Sequence, residues 1–123
     1  MATRSEITVN KLNGAFANHE TADSIDKTND HEIAEGANFK RLILSFELSA
    51  ATADDTITIK AGTAHPAFRR GLGDLVFSSA SGGAERVCLG PIETARYLQA
   101  DGTIHIDVAG STIAGTIDAY ALP

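Results

Sequence analysis

A regular rhythm of short alternating segments, running from Lys60 to Asp107, constrains the fold of this chain more than any other feature. Apolar and polar residues alternate over a few positions and then give way to breaks rich in Gly, Pro and Asp. Such alternation is typical of half-buried strands, and the close spacing of the breaks leaves little room for crossover helices. Asp101-Gly102, between two extended segments, is also a strong hairpin signal. The rhythm therefore predicts antiparallel strands in a β-sandwich or a small barrel.

The segment Arg41–Leu48 shows the clearest strand pattern. One face of it carries four large apolar residues, Leu42, Leu44, Phe46 and Leu48. Full burial of such side chains contributes roughly 1.5–3 kcal/mol each, whereas ordering the backbone costs roughly 1–2 kcal/mol per residue. Because the two totals nearly cancel, this strand must share a core with other strands rather than stand alone.

The chain of 123 residues predicts one all-β domain, an antiparallel β-sandwich of about eight strands that is jelly-roll-like or immunoglobulin-like. A short polar N-terminal arm, about residues 1–5, precedes it. The polar region Lys11–Gly36 either holds short irregular strands, near Ala22–Ile25 and His31–Ile33, or is a surface excursion that orders on a partner. The other predicted strands are Glu6–Asn10, Arg41–Leu48, Thr56–Lys60, Asp74–Ser78, Arg86–Leu89, Thr94–Gln99, Thr103–Val108 and Thr116–Leu122.

Charge and composition exclude several classes of protein. The formal net charge is -6 and the pI is about 5.0, unlike the clustered Lys and Arg that hold nucleic acid. No apolar stretch approaches the roughly 20 residues that cross a bilayer, and the N-terminus has no apolar run of signal-peptide length. A single cysteine allows no internal disulfide. We therefore expect a protein made in a cytosol, with neither nucleic acid nor membrane as a partner.

No residue pattern indicates catalysis, a metal or a cofactor. The four histidines, at positions 19, 31, 65 and 105, match no zinc spacing, and the acidic stretch Asp23–Asp30 lacks the ligand order of a calcium loop. Glu85, Glu93 and Asp107 offer a carboxylate pair in principle, but any acidic β-protein does so. Cys88, between apolar neighbours in a predicted strand, is expected to be a buried or half-buried thiol. We expect a protein that is not an enzyme and binds no cofactor.

One dense loop, Gly62–Gly73, is the main candidate for contact with a partner. It contains His65, Pro66, Phe68, Arg69 and Arg70. Aromatic and Arg residues are enriched at the centres of protein interfaces, which favours a contact loop. The alternative is structural, with Phe68 packed into the core and the two arginines paired with Asp74 or Glu93.

Five short strings in the second half of the chain are distinctive when taken together. They are Gly71–Leu75 (GLGDL), Gly90–Glu93 (GPIE), Ala95–Tyr97 (ARY), Gln99–Gly102 (QADG) and Ala119–Pro123 (AYALP). With them, most of Asn29–Pro123 resembles a group of small tailed-bacteriophage virion proteins that are often capsid decoration (cement) proteins. The chain departs from that pattern at Thr94, where the family often has Ser, and at Cys88.

The resemblance implies a structural role in the virion. Decoration proteins bind the major capsid protein on the outer surface of the mature head, bridge neighbouring subunits, and form homo-trimers or other homo-oligomers. Their N-terminal arms and loops make the contacts, and synthesis takes place in the host bacterial cytoplasm. The contact residues expected here are Thr3, Arg4, His65, Pro66, Phe68, Arg69 and Arg70.

Two other functions remain open from the sequence. The first is another virion component, such as a tail tube, tail tip or head fibre. The second is a carbohydrate-binding module for host attachment, in which Tyr97 or Tyr120 would stack on sugars. Only seven aromatic residues occur, with no Trp, and several of them must lie in the core, which disfavours a sugar-binding platform.

Overall fold

The computed structural model describes residues 3–51, 55–63, 73–78 and 84–122. Within these ranges ten strands form two five-stranded sheets, so the predicted all-β sandwich is confirmed. Two short 3-10 helices, Gly36–Asn38 and Thr94–Arg96, lie between strands, and no described helix is long and apolar enough to cross a bilayer. The strands are β1 (Ser5–Glu6), β2 (Val9–Lys11), β3 (Asp23–Ser24), β4 (His31–Ile33), β5 (Arg41–Ala50), β6 (Thr56–Ile59), β7 (Leu75–Ser78), β8 (Glu85–Glu93), β9 (Ile104–Ala109) and β10 (Ala114–Ala121).

The order of the strands places the N-terminal segments at one side of the sandwich and β7 and β8 at the other. The first sheet has the order β1-β4-β9-β6-β7, and the second has the order β2-β10-β5-β8, with β3 also paired to β10. Most pairs are antiparallel, but β1–β4 and β2–β10 are parallel, so both sheets are mixed. The chain between β1 and β4 exceeds the dozen or so residues that a parallel connection requires.

The core lies between the sheets and follows the predicted alternation. The apolar face of β5 is buried, as are the inward residues of β6, β9 and β10. The register aligns Ile117 of β10 with Phe46 of β5, and Ala119 with Leu44. Side chains that point to one face of a strand meet their neighbours from the next strand there, which is how one shared core forms. The fully buried apolar side chains include Leu42, Leu44, Leu48, Ile59, Ile104, Ile106 and Ile117.

The first predicted strand, Glu6–Asn10, is divided between the two sheets. β1 ends at Glu6 and pairs with β4, whereas β2 begins at Val9 and pairs with β10. Ile7, in the connection between them, is buried. The chain therefore crosses from one layer to the other at this point, which closes one side of the core.

The segment around Gly90 and Thr94 differs from the prediction. β8 does not stop at Gly90-Pro91 but continues to Glu93, with a cis Gly90–Pro91 peptide bond and a register shift against β5. Pro is tolerated there because β8 is an edge strand, where one side of the backbone needs no ladder partner. The predicted strand Thr94–Gln99 is wrong: it begins as a 3-10 turn in which the Thr94 N–H donates to the Lys40 carbonyl at 3.1 Å.

Cys88 is exposed, so the prediction of a buried or half-buried thiol is wrong. Val87 and Leu89 are half-buried toward the core, and strict alternation along β8 turns the residue between them to the outer face. Residues 79–83, which connect β7 of the first sheet to β8 of the second, lie outside the described residues.

Candidate functional site

Two of the three exposed large apolar side chains in the described part of the chain lie in one segment, which is a candidate contact region. Phe16 is completely exposed, at 109% of its reference area, and Leu12 is 39% exposed. Both lie in the segment of residues 12–18, here called the Phe16 loop, which leaves the sandwich at the end of β2. A soluble monomer gains nothing from a fully solvated aromatic ring, whereas an aromatic ring is the preferred anchor at an interface.

The base of the Phe16 loop is fixed to the sandwich by hydrogen bonds. Where the chain leaves β2, the Leu12 N–H donates to the Ala121 carbonyl of β10 at 2.9 Å. Where it returns, the Glu20 N–H donates to Asn10 Oδ1 at 2.7 Å. Asn10 is buried, and its Nδ2 donates to the Ala119 carbonyl at 3.2 Å. One buried amide thus joins the returning end of the loop to the central strand β10.

A second set of contacts shapes the loop itself. His19 Nε2 and the Tyr120 hydroxyl lie 2.7 Å apart, and the two rings are 5.5 Å apart between centroids. Near the apex, Asn13 Oδ1 accepts from the Ala15 N–H at 3.1 Å, and Gly14 has φ +86°, a conformation that glycine adopts without strain. These turns direct Phe16 away from the body of the domain.

An open hollow adjoins the start of the Phe16 loop. Its volume is about 340 Å³, and Lys11, the residue before Leu12, lines it. The Lys11 ammonium lies 5.9 Å from the centroid of the Phe39 ring, within reach of a cation–π contact. The other lining residues are five apolar residues and two glutamates: Ile7, Val9, Ile33, Ala34, Phe39, Glu6 and Glu35. The hollow is therefore of mixed polar and apolar character, and neither Leu12 nor Phe16 lines it.

The N-terminal residues dock on the first sheet from Arg4 onward. Arg4 Nη1 lies 2.6 Å from Asp107 Oδ1 and donates to the His31 carbonyl at 3.1 Å. The Ser5 N–H donates to the Asp30 carbonyl at 2.9 Å, which begins the β1–β4 pairing. Thr3 is exposed. A contact by Thr3 and Arg4 with a partner stays a prediction. For Arg4, such a contact would require its guanidinium to leave the Asp107 carboxylate and bind a group on the partner instead.

A polar cluster lies beneath this arm, around His31. The His31 ring is completely buried, and its Nε2 accepts from the Asp26 N–H at 2.8 Å. The Asp26 carboxylate accepts from the Ser5 hydroxyl at 2.6 Å and from the backbone and side chain of Asn29 at 3.0 Å. These hydrogen bonds hold the pKa of Asp26 well below its usual range; the bond from the Ser5 hydroxyl has the largest effect, and those from Asn29 come next. Burial is the main cause that lowers the pKa of His31 below 6.5.

The described ends of the predicted contact loop Gly62–Gly73 are firmly held. Lys60 Nζ and Asp74 Oδ2 lie 3.0 Å apart, and the Ala61 N–H donates to Asp74 Oδ1 at 2.6 Å. These donors lower the pKa of Asp74, the Ala61 N–H contributing most. The Gly62 N–H donates to the Arg96 carbonyl at 2.9 Å, so the turn after β8 braces the same end. The predicted residues His65, Pro66, Phe68, Arg69 and Arg70 lie outside the described residues, and their role stays a prediction.

The other candidate residues do not assemble into a site in the described structure. No three His, Cys, Asp or Glu side chains of the described residues lie close enough together to hold a metal ion. Glu85 and Glu93 stand at opposite ends of β8, about 26 Å apart along an extended strand, far beyond the separation of glycosidase carboxylates. Asp107 lies in the other sheet and pairs with Arg4.

The two tyrosines proposed for sugar stacking are not equivalent. Tyr97 is only 2% exposed, and its burial raises the pKa of its hydroxyl. Tyr120 is half-buried and engaged with His19. Neither presents an open ring face of the kind a sugar-binding platform needs, and Tyr97 belongs to the core.

The sequence does not predict the Phe16 loop as a contact site. For the polar region Lys11–Gly36 it predicts either short irregular strands or a surface excursion, and it singles out no contact residue there. The available signal was a lone Phe between small residues, in the string Gly14-Ala15-Phe16-Ala17, flanked by asparagines. This signal is weak, because the apolar side chains nearest to Phe16 form no strand or helix pattern long enough to indicate which way its ring points. Comparison with protein-family models, with curated proteins and with solved structures finds no match for this chain.

Proposed function

We propose that this protein is a structural component of a tailed-bacteriophage virion, a decoration protein that binds the major capsid protein on the outer surface of the mature head. The observation that carries the proposal is Phe16, fully exposed on a loop whose two ends are fixed to the sandwich. The sequence resemblance of residues 29–123 to small virion proteins supplies the partner, and the Phe16 loop supplies a contact that the partner would cover.

The size of the Phe16 side chain sets how much binding it can contribute. A buried aromatic side chain removes roughly 150–250 Å² from water, which at about 25 cal/mol per Å² amounts to roughly 4–6 kcal/mol before the costs of association. Because the base of the loop is already hydrogen-bonded, less ordering is needed on binding than for a free tail. Leu12, which is 39% exposed, adds to the apolar surface of the same loop.

Binding of this kind stabilises a capsid by linkage. A protein that binds the expanded lattice but not the unexpanded or disassembled forms shifts the equilibrium toward the lattice it binds. The contribution grows with the number of occupied sites, so a modest affinity per site is sufficient on a shell with many copies. No catalytic step is needed for this role.

The test uses purified protein and expanded capsids that lack it. We expect stoichiometric binding and a higher disassembly temperature of the capsids. Phe16→Ala should keep the wild-type unfolding midpoint, because the ring contacts nothing in the fold, yet lose at least about 2 kcal/mol of binding, roughly a 30-fold weaker Kd. Cys88→Ser, which changes another exposed side chain, on β8, is the matched control and should bind as wild type does.

Three results would contradict the proposal in different ways. Equal binding to unexpanded and expanded capsids, or binding to neither, would exclude a decoration role. Spontaneous assembly of the protein into rings or tubes would favour the tail-tube alternative. Capsid binding that Phe16→Ala leaves unchanged would keep the decoration role but remove the Phe16 loop from the contact.

A further inference from the structure

One asparagine of this chain is followed by glycine, and it lies near the apex of the Phe16 loop. The chain has five asparagines, at positions 10, 13, 18, 29 and 38; Gly14 follows Asn13, whereas Lys, His, Asp and Phe follow the others. In an Asn-Gly pair the backbone nitrogen of the glycine can attack the side-chain amide carbon of the asparagine, because glycine has no Cβ to obstruct the approach. How readily the pair reacts depends on how the fold holds these two groups.

Both reacting groups are accessible to water. Asn13 and Gly14 are exposed, as is every residue from 11 to 20. A Cβ built on Gly14 would meet no atom within 4 Å, so no described side chain or backbone shields this position. The Gly14 N–H donates no hydrogen bond to another residue of the described chain. Its proton is therefore open to removal by a base from the solvent.

A hydrogen bond inside the loop activates the asparagine amide. The Ala15 N–H donates to Asn13 Oδ1 at 3.1 Å, which folds the side chain back over the following backbone. A donor at this oxygen draws electrons away from the amide carbon, and it stabilises the negative charge that the oxygen acquires when a nucleophile adds to that carbon. The loop therefore favours attack on Asn13 instead of protecting it.

We infer that Asn13 is a site of spontaneous deamidation in the folded protein. The Gly14 nitrogen, after giving its proton to a solvent base, forms a bond to Asn13 Cγ; the bond from Cγ to Nδ2 then breaks, and the amide nitrogen leaves as ammonia. The resulting cyclic imide takes up one water molecule at either of its two carbonyl carbons. One opening leaves an aspartyl residue at position 13, and the other leaves an isoaspartyl residue, in which the main chain runs through the former side chain.

The pair Asp101-Gly102 shows how the same fold holds a related sequence in an unreactive state. An Asp-Gly pair can close the same imide by losing water, but an ionised carboxylate is a poor electrophile. Asp101 Oδ1 accepts from the Thr103 hydroxyl at 2.7 Å and from the Thr103 N–H at 3.2 Å, and these bonds lower the pKa of Asp101. The Gly102 N–H donates to the Gln99 carbonyl at 2.9 Å. Neither restraint on the glycine nitrogen nor ionisation of the carbonyl group applies at Asn13.

Either product of deamidation changes the Phe16 loop. Both products add a negative charge to the segment that carries Phe16. The isoaspartyl product also adds a methylene group to the main chain, which disrupts the turn that Asn13 makes with Ala15. Modified protein should therefore bind expanded capsids more weakly than fresh protein. This consequence rests on the proposed function, whereas the modification itself is independent of it.

The test is to incubate the full, folded chain in mildly alkaline buffer and to follow its charge and mass. We expect a more acidic form, heavier by the difference between a hydroxyl and an amino group. Fragmentation of the tryptic peptide of residues 12–27 should place the change at Asn13 and not at Asn18. The reaction in the folded protein should be at least as fast as in the urea-unfolded protein, because the loop exposes and activates the pair.

Three variants separate this site from the rest of the loop. Asn13→Gln should abolish the reaction there, because the longer side chain must close a larger ring. Gly14→Ala should slow it by about tenfold or more, because the added methyl group crowds the attacking nitrogen. Asn18→Gln, at an exposed asparagine of the same loop, is the matched control and should react as the wild type does.

Two results would overturn the inference: a reaction at Asn13 that is slower in the folded protein than in urea, or another asparagine that reacts first. The consequence for binding is tested on fresh and modified protein separated by ion exchange. Equal binding of both to expanded capsids would refute that consequence. Failure of both to bind would refute the proposed function and leave the modification standing.

Discussion

Acidification should destabilise this protein through one side chain, His31. Its ring is completely buried, and Nε2 accepts the Asp26 N–H, so the proton of the neutral ring resides on Nδ1. Nδ1 has no hydrogen-bond partner among the described residues. A second proton would have to enter at Nε2, against the N–H that already points there. Asp26, Asp23 and Asp30 favour the charged ring, but burial outweighs them and lowers the pKa of His31.

The sign and the size of the effect follow from proton linkage. Near pH 6.5 the unfolded chain takes up a proton at His31, whereas the native protein, with its lowered pKa, does not. The unfolded state then binds more protons, so the free energy of unfolding falls as the pH falls below 6.5. If the native ring stayed neutral throughout, the slope would approach about 1.4 kcal/mol per pH unit, so the loss between pH 7.5 and pH 5.5 is at most about 1.4 kcal/mol.

Urea unfolding, monitored by circular dichroism at pH values from 7.5 to 5.5, measures how steeply the free energy of unfolding depends on pH. A loss of about 1.4 kcal/mol corresponds to a fall in Tm of about 5 °C for a domain of this size. His31→Gln removes the titration while its side-chain oxygen can still accept from Asp26, so its stability should vary less with pH. His105→Gln is the control, because His105 is only half-buried and contacts the Thr103 hydroxyl at 3.1 Å. The pH dependence of its free energy of unfolding should equal that of the wild type. A wild-type stability that is flat between pH 7.5 and 5.5, or a full slope in His31→Gln, would refute the reasoning.

Two further predictions test the fold. Gly115→Ala should destabilise more than Gly14→Ala. Both positions have positive φ, a strain of about 1–3 kcal/mol for other residues, but only at Gly115 would the added Cβ clash with a backbone oxygen of the neighbouring strand, that of Glu47, while at Gly14 it meets nothing. Equal unfolding midpoints in urea would contradict this packing. Cys88 should react with a thiol reagent in the folded protein about as fast as in the urea-unfolded protein, because it lies on the outer face of β8; strong protection that disappears on unfolding would instead support the buried thiol expected from the sequence.

The part of the fold that could be predicted from the sequence is the part set by local alternation. In β5 and β9 the apolar residues recur at every second position, and each of these faces is buried in the sandwich. This signal is local because successive side chains on a strand point to opposite faces whatever the partner strand is. The short strands β3 and β4 were also anticipated, near Asp23 and His31, inside a polar region with little periodicity.

The features that could not be predicted depend on contacts between distant residues. Thr94 begins a turn because its N–H and hydroxyl reach the carbonyls of Lys40 and Phe39, more than fifty positions away in the chain. Pro91 is accepted within β8 because that strand is at an edge of the described sheet, a fact that only the order of the strands reveals. The exposure of Phe16 is likewise a property of the assembled sandwich, since a lone aromatic residue in a polar region can equally well pack inward.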